Sequence, residues 1–417
     1  MRKIGIVALG AAIGCAVLLQ FPVPALALPN ETVLHAFGNG TDGAFPQAGM
    51  INDNEALYGT TTEGGTSQAC GQTGCGTVFS LDPNTSTETV VYSFTSGSDG
   101  AVPAAGLIHV NGILYGTTVY GGSGGSGTVF AFDTKKGTET VLHAFSGDVG
   151  DGAGPTAGLI DVNGILYGTT GYGGNSEADG GAVFSLDPKK GTEGVLYSFC
   201  RNQDCTDGER PLAGLIAVQG VLYGTTSMGG SHNGGTVFSL DLSTGKEKVL
   251  YSFCSRNCAD GESPASGLVD MNGVLYGTTL YGGSSRSCQE GCGVVFSLDL
   301  KKDIETVVHS FCWKRNCADG AGPYAGLIDV KGMLYGTTQA GGSYNAGTVF
   351  SLVPSSGAEK VLYSFCQQLN CTDGADPTSS LVNVNGVLYG TTYNGGAYCE
   401  NDGGFGCGTV FSLTGAP

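Results

Sequence analysis

Short apolar runs alternate with polar or glycine-bearing breaks, and residues 157–199 show the unit in which they do so. The run 158–162 (GLIDV) ends at Asn163-Gly164, a dipeptide strongly favoured in two-residue hairpin turns, and 165–170 (ILYGTT) returns as a second strand. A loop carrying Gly173-Gly174 leads to a third run, 182–186 (AVFSL). The polar turn 187–191 (DPKKG) then leads to a fourth, 194–199 (GVLYSF). No segment has the i, i+3, i+4 apolar period of a helix, and runs apolar on both faces suit sheets covered on both sides. The unit reads as a four-stranded antiparallel meander.

The unit repeats. LYGTT begins at Leu57, Leu114, Leu166, Leu222, Leu275, Leu334 and Leu388, so seven copies occupy residues 28–417 at intervals of 52 to 59 residues. Four short strands per repeat is the pattern of propeller blades stacked around a channel. The two ends test this reading. A lone fourth strand, 31–37 (ETVLHAF), precedes the first full unit, and the last unit stops at its third strand, 408–413 (GTVFSL). Pairing them completes a seventh blade and removes two open sheet edges, whereas an open solenoid protects its ends with atypical caps. The expected fold is an all-β, seven-bladed β-propeller with four antiparallel strands per blade, its last blade closed by the N-terminal strand.

The first 27 residues change the setting. Arg2 and Lys3 precede an apolar stretch, and Ala25-Leu26-Ala27 supplies the small-x-small pattern of a signal-peptidase site, so cleavage before Leu28 is expected. Gly14-Cys15 offers a lipobox as the rival reading, but Ala12 stands where Leu is usual and the apolar run continues to Leu19. No later apolar run reaches the ~20 residues of a membrane helix, and residues 413–417 leave no room for an anchor. The expectation is a secreted or periplasmic protein without membrane insertion after cleavage. Loss of Arg2 and Lys3 leaves 16 basic against 36 acidic residues, a charge of −20 that repels phosphate backbones and argues against nucleic acid. The 74 glycines recur at fixed turn positions rather than as low complexity.

Beyond Cys15, fourteen cysteines form seven close pairs: Cys70/Cys75, Cys200/Cys205, Cys254/Cys258, Cys288/Cys292, Cys312/Cys317, Cys366/Cys371 and Cys399/Cys407. Four pairs sit in the loop joining one unit to the next and three in the loop after the double glycine. Where one partner is missing the other is missing too, so each pair is expected to close on itself, gaining about 2 kcal/mol on the chain-entropy model. Zinc is the alternative, but there is no CxxC pair and no histidine pair to support it. Strand alternation places both loop types on one face of the ring.

That face also carries DGxxP in all seven units, as in Asp207-Gly208 to Pro211, Asp260-Gly261 to Pro264, Asp319-Gly320 to Pro323 and Asp373-Gly374 to Pro377. As a structural motif, Asp caps backbone N–H groups, Gly takes positive φ and Pro starts the next inner strand. As a functional one, the loops suit calcium, because Asn39, Asp148, Asp204, Asn257, Asn316 and Asn370 lie three residues before the repeated Asp, although the spacing is not an EF-hand. Tyr120, Tyr172 and Tyr281 directly precede double glycines, Tyr393 lies one residue earlier, and Trp313 sits between two cysteines. These aromatics, with Asp207, Asp260, Asp319 and Asp373, are the candidate ligand-binding residues, and packing between blades is the competing role for the tyrosines. Catalytic constellations are mostly absent: His35, His143 and His309 replace a fourth-strand Tyr, His109 and His232 stand alone, and 121–125 (GGSGG) lacks the helix of a nucleophile elbow. Paired loop carboxylates could still serve glycoside cleavage.

The unit AGLIDVNG-ILYGTT-x-YGG…GxVFSLDP-KKGTE-x-VLYSF resembles the Gloeo/Verruco (GloVer) tandem repeat of exported bacterial proteins, over all seven units. The resemblance implies export and a propeller related to the kelch and galactose-oxidase group, with no assigned activity. The double glycine after the second strand carries the kelch likeness, but the kelch Trp and the copper ligands of galactose oxidase are missing. The reading is a monomeric, exported, non-catalytic scaffold that binds an extracellular glycan or protein through its disulfide-clipped face. The alternative is an extracellular carbohydrate-active hydrolase or lyase using loop carboxylates. No metal or cofactor beyond calcium is suggested.

Overall fold

The computed structural model describes residues 29–38, 40–53, 56–174, 178–201, 204–285, 287–396 and 406–417, so the leader lies outside them. Seven four-stranded antiparallel sheets form the blades of a propeller. Blade 3 is built from Ile160–Val162, Ile165–Thr170, Ala182–Asp187 and Thr192–Ser198, hydrogen-bonded in chain order. Its hairpin turn has φ of 56° at Asn163 and 84° at Gly164, as a type I′ turn requires. No α-helix occurs among the described residues, only four three-residue 3-10 turns. Closure follows the sequence reading: Asn30–Ala36 pairs antiparallel with Thr409–Thr414, placing Glu31 opposite Leu413 and His35 opposite Val410.

Two local expectations need correction. The inner strand is only three residues long, and Pro does not start it, because four residues separate Pro46 from Ile51–Asp53. Near the axis the Pro-x-Ala-Gly segments pack backbone on backbone: a Cβ on Gly158 would lie 3.1 Å from the Gly106 carbonyl oxygen, and one on Gly49 only 2.7 Å from that of Ser380. The first threonine of each YGTT holds this arrangement by donating across to the next blade, Thr60 to the Ala105 carbonyl at 3.1 Å and Thr169 to that of Ala213 at 3.1 Å. The second threonine acts within the blade. Thr226 donates to the Met228 carbonyl and meets the Thr236 hydroxyl at 2.8 Å.

The core lies in the wedges between blades. Val183, Tyr197 and Phe199 of blade 3 pack with Leu215, Leu222, Phe238 and Leu240 of blade 4. The YGTT glycine makes room for the third-strand phenylalanine, since a Cβ on Gly224 would lie 2.7 Å from Phe238 Cζ and 2.8 Å from Leu215 Cδ2. Gly224→Ala is therefore expected to cost about 1–3 kcal/mol by overpacking. Urea denaturation checks this, and an unchanged midpoint would mean that the ring can move aside.

Each outer strand carries a β-bulge, as between Tyr197 and Val195, which pair with the consecutive residues Val183 and Phe184. Residues four apart in a regular strand share a face. The extra residue instead sends Glu193 back towards blade 2, while Tyr197 and Phe199 face blade 4.

A candidate ligand site at the mouth of the channel

The two loop types meet on one face and are tied together. In blade 5, Glu262 and Tyr281 exchange backbone hydrogen bonds of 3.0 Å, and equivalent bridges join Ala101 to Tyr120 and Glu209 to Met228. The second glycine of each double glycine donates to the connecting loop, Gly230 to the Cys205 carbonyl and Gly342 to that of Cys317. Six predicted disulfides are closed: Cys70–Cys75, Cys200–Cys205, Cys254–Cys258, Cys288–Cys292, Cys312–Cys317 and Cys366–Cys371. Cys407 is also disulfide-bonded, and Cys399, its predicted partner, lies outside the described residues. In the four connecting loops both cysteines have positive φ, for example 56° at Cys200 and 45° at Cys205. Such backbone is unfavourable for non-glycine residues, and the cross-link holds it in place.

A cavity of about 560 Å³ opens on the axis of this face. Its wall repeats the Pro-x-Ala/Ser-Gly/Ser-Leu/Met segment, and the x position, variable within a near-constant unit, contributes Gln47, Ala104, Thr156, Leu212, Ala265, Tyr324 and Thr378. Tyr120, 60% exposed, stands at the rim beside Val119. Among the described residues the lining contains hydroxyls, an amide, backbone and apolar groups, with no carboxylate, histidine, cysteine or basic side chain.

Of the nine candidate residues, the structure brings only Tyr120 into this cavity. The Tyr172 ring lies 5.0 Å from the Arg210 guanidinium, a cation–π pair. Tyr393 packs against Phe45 of the adjoining blade at 5.0 Å, and burial, then the Glu63 charge, raises its hydroxyl pKa. Tyr281 is partly exposed on its bridge, and Trp313, 75% exposed, sits in a clipped loop. The four aspartates are buried and engaged. Asp207 accepts from the Tyr197 hydroxyl at 2.9 Å, and Asp373 from Tyr363 at 2.7 Å and from the Gln367 and Gln368 amides. Asp260 accepts from Tyr251 at 2.8 Å and from Ser255, and Asp319 accepts from the Trp313 and Lys314 amides. Burial would raise Asp260 and Asp319, but these donors outweigh it and hold both below the usual carboxylate range. Asn257, Asn316 and Asn370 have φ of 52° to 59°, a left-handed conformation that Asn tolerates, which accounts for them as turn residues; Asn39 lies outside the described residues.

The x positions were missed because they look like noise in an otherwise regular repeat. Tyr324 is the largest of them. A second missed set is the outer-strand glutamates, Glu31, Glu88, Glu139, Glu193, Glu247, Glu305 and Glu359, each four residues before the Tyr or His of its own strand. The bulge turns each towards the preceding blade, so that Glu139 lies by Tyr92 and Asp99 and Glu247 by Tyr197 and Asp207. Each has an Oε1 closed off from solvent with no hydrogen-bond partner. Burial, reinforced by the nearby Asp charge, pushes Glu31 and Glu139 up to about 7. Burial dominates in Glu88 and Glu247 too, also about 7, although the His35 charge and the Tyr197 hydroxyl respectively oppose it.

Among solved structures, the chain is similar to the extracellular domain of a putative one-component system from B. thetaiotaomicron, with a TM-score of 0.56 and 9% identity over 91% of this chain and 39% of that one. It is also similar to an oligogalacturonate lyase from Vibrio parahaemolyticus, with a TM-score of 0.53 and 10% identity over 92% of this chain and 93% of that one. An oligogalacturonate lyase in complex with manganese gives a TM-score of 0.53 and 12% identity over 92% of both chains. At these identities the likeness is one of fold. No curated protein matches the sequence. The Gloeobacter/Verrucomicrobia repeat model matches residues 25–206, 66–289 and 200–411, and with seven such repeats closed into one ring, the chain belongs to that family.

Proposed function

We propose that this protein is an exported binding scaffold whose axial cavity receives an uncharged segment of an extracellular glycan. The observation that carries this reading is the wall of the cavity: seven variable positions on a rigid ring, two tyrosines among hydroxyl and amide groups, and, among the described residues, no charged side chain. Aromatic faces stack on sugar rings, the polar groups match sugar hydroxyls, and about 560 Å³ is an ordinary size for a small-ligand site. The closed disulfides fit an extracellular protein, and among the described residues no helix is long and apolar enough to cross a membrane. Residues 1–27 supply the export signal in this reading. The double glycine and strand order also support placing the blades with the kelch and galactose-oxidase group.

A glycan array on the purified chain, followed by calorimetry with each hit, tests the proposal. Tyr324→Ala is expected to weaken binding at least about tenfold, as loss of a stacking anchor does, and Trp313→Ala to leave it unchanged. Release of reducing ends or unsaturated products, abolished by changing one loop aspartate, would overturn the non-catalytic reading in favour of a hydrolase or lyase.

A further inference from the structure

We propose that the interface between blades 2 and 3 is a binding site for a divalent transition-metal cation, held by His143, Asp151 and Glu193. One ligand atom from each lies within 4.8 Å of the other two. His143 Nε2 and Asp151 Oδ1 are joined by a 3.2 Å hydrogen bond, a separation that also matches the ligand–ligand edge of a tetrahedral site with bonds of about 2.0 Å, so that a cation would replace the shared proton. Glu193 adds an Oε1 that is closed off from solvent and has no hydrogen-bond partner. One nitrogen and two carboxylates form a donor set that zinc accepts, with a fourth position left for water.

Two of the other interfaces place a positive charge at this point. Between blades 4 and 5, Arg256 reaches across to Glu305; between blades 5 and 6, Lys314 reaches Glu359 at 2.8 Å. Both glutamate side chains are 1% exposed, so each places its carboxylate on a positive charge supplied by the chain. Arg256 and Lys314 occupy the third position after the outer-strand phenylalanines Phe253 and Phe311. The same position after Phe145 is Asp148, an exposed acid. Blades 2 and 3 meet with no basic side chain at this position, as do blades 1 and 2 with Gly97 and blades 6 and 7 with Gln368, but here an imidazole stands where blades 1, 3, 4 and 6 carry tyrosine, and among the described residues only here do an imidazole and two carboxylates lie within 4.8 Å of one another. This site lies apart from the axial cavity and does not depend on the glycan reading.

Calorimetric titration of the full mature chain with zinc chloride, after stripping with EDTA and removing the chelator, is the test. One equivalent is expected to bind. Glu193→Gln and His143→Tyr should each weaken binding at least about tenfold, and the second installs the residue that four other blades already fold with. Asp148→Lys should abolish binding by placing an ammonium where Lys314 has its own. Near-UV circular dichroism establishes that the variants are folded. The proposal is overturned if no heat develops at millimolar zinc, if any of the three folded variants binds zinc as the parent does, or if calcium binds and zinc does not.

Discussion

Phe37→Ala is expected to destabilise the protein by about 3–5 kcal/mol. Phe37 follows the N-terminal strand, is fully buried, and packs edge-on against Phe79 of blade 1 with ring centroids 5.3 Å apart. Its N–H donates to the Gly408 carbonyl at 3.0 Å. Six blades each come from one continuous stretch of chain, whereas the seventh joins strands from the two ends. Phe199→Ala removes an equivalent ring, 4.9 Å from Phe238, and should cost a similar amount. Only Phe37→Ala should also loosen the seam and free Thr409–Thr414 as an open edge. Hydrogen exchange separates the two: amides of that strand should exchange faster in Phe37→Ala than in Phe199→Ala. Equal protection in both variants would show that the seam does not depend on this residue.

What was legible from the sequence was whatever repeats within one unit. The second strand, 165–170, falls where the apolar pattern placed it, because its partners are in the same blade and the Asn163-Gly164 turn fixes its register. The inner strand was overcalled because its shortening arises from backbone crowding between blades, and a single repeat holds no trace of Gly158 meeting the Gly106 carbonyl. The loop aspartates are visible as a signature, yet nothing within one repeat shows that their partners are the outer-strand Tyr or His. The glutamates were hidden more deeply. Without the bulge, Glu193 and Tyr197 would share a face, and only the extra residue sets them against different neighbours. For the cavity, the informative positions are those that break the repeat, which a search for regularity discards.

Those glutamates lead to a pH dependence with a definite sign. Glu31, Glu88, Glu139 and Glu247 rise from 4.5 to about 7 on folding, chiefly through burial, so the folded state holds their protons more tightly than the unfolded chain does. Their contribution to stability is therefore full below 4.5 and is lost as pH rises through 7. Three loop aspartates act in the opposite sense. Asp151, Asp260 and Asp319 are held below 3.8, as hydrogen-bond donors overcome their burial, so their contribution is lost only in acid. Stability should peak between about pH 4 and 6 and decline towards pH 8. Allowing for solvent screening at these partly exposed carboxyls, a fall in Tm on the order of 5 °C from pH 5.5 to 8 is expected by scanning fluorimetry in EDTA. Replacing all four glutamates by glutamine keeps their shape and removes the titration, so the alkaline decline should flatten while the acid limb stays. A parent protein as stable at pH 8 as at pH 5.5 would mean that these carboxyls reach water or a cation between the blades, and that the propeller closes around charged rather than neutral seams.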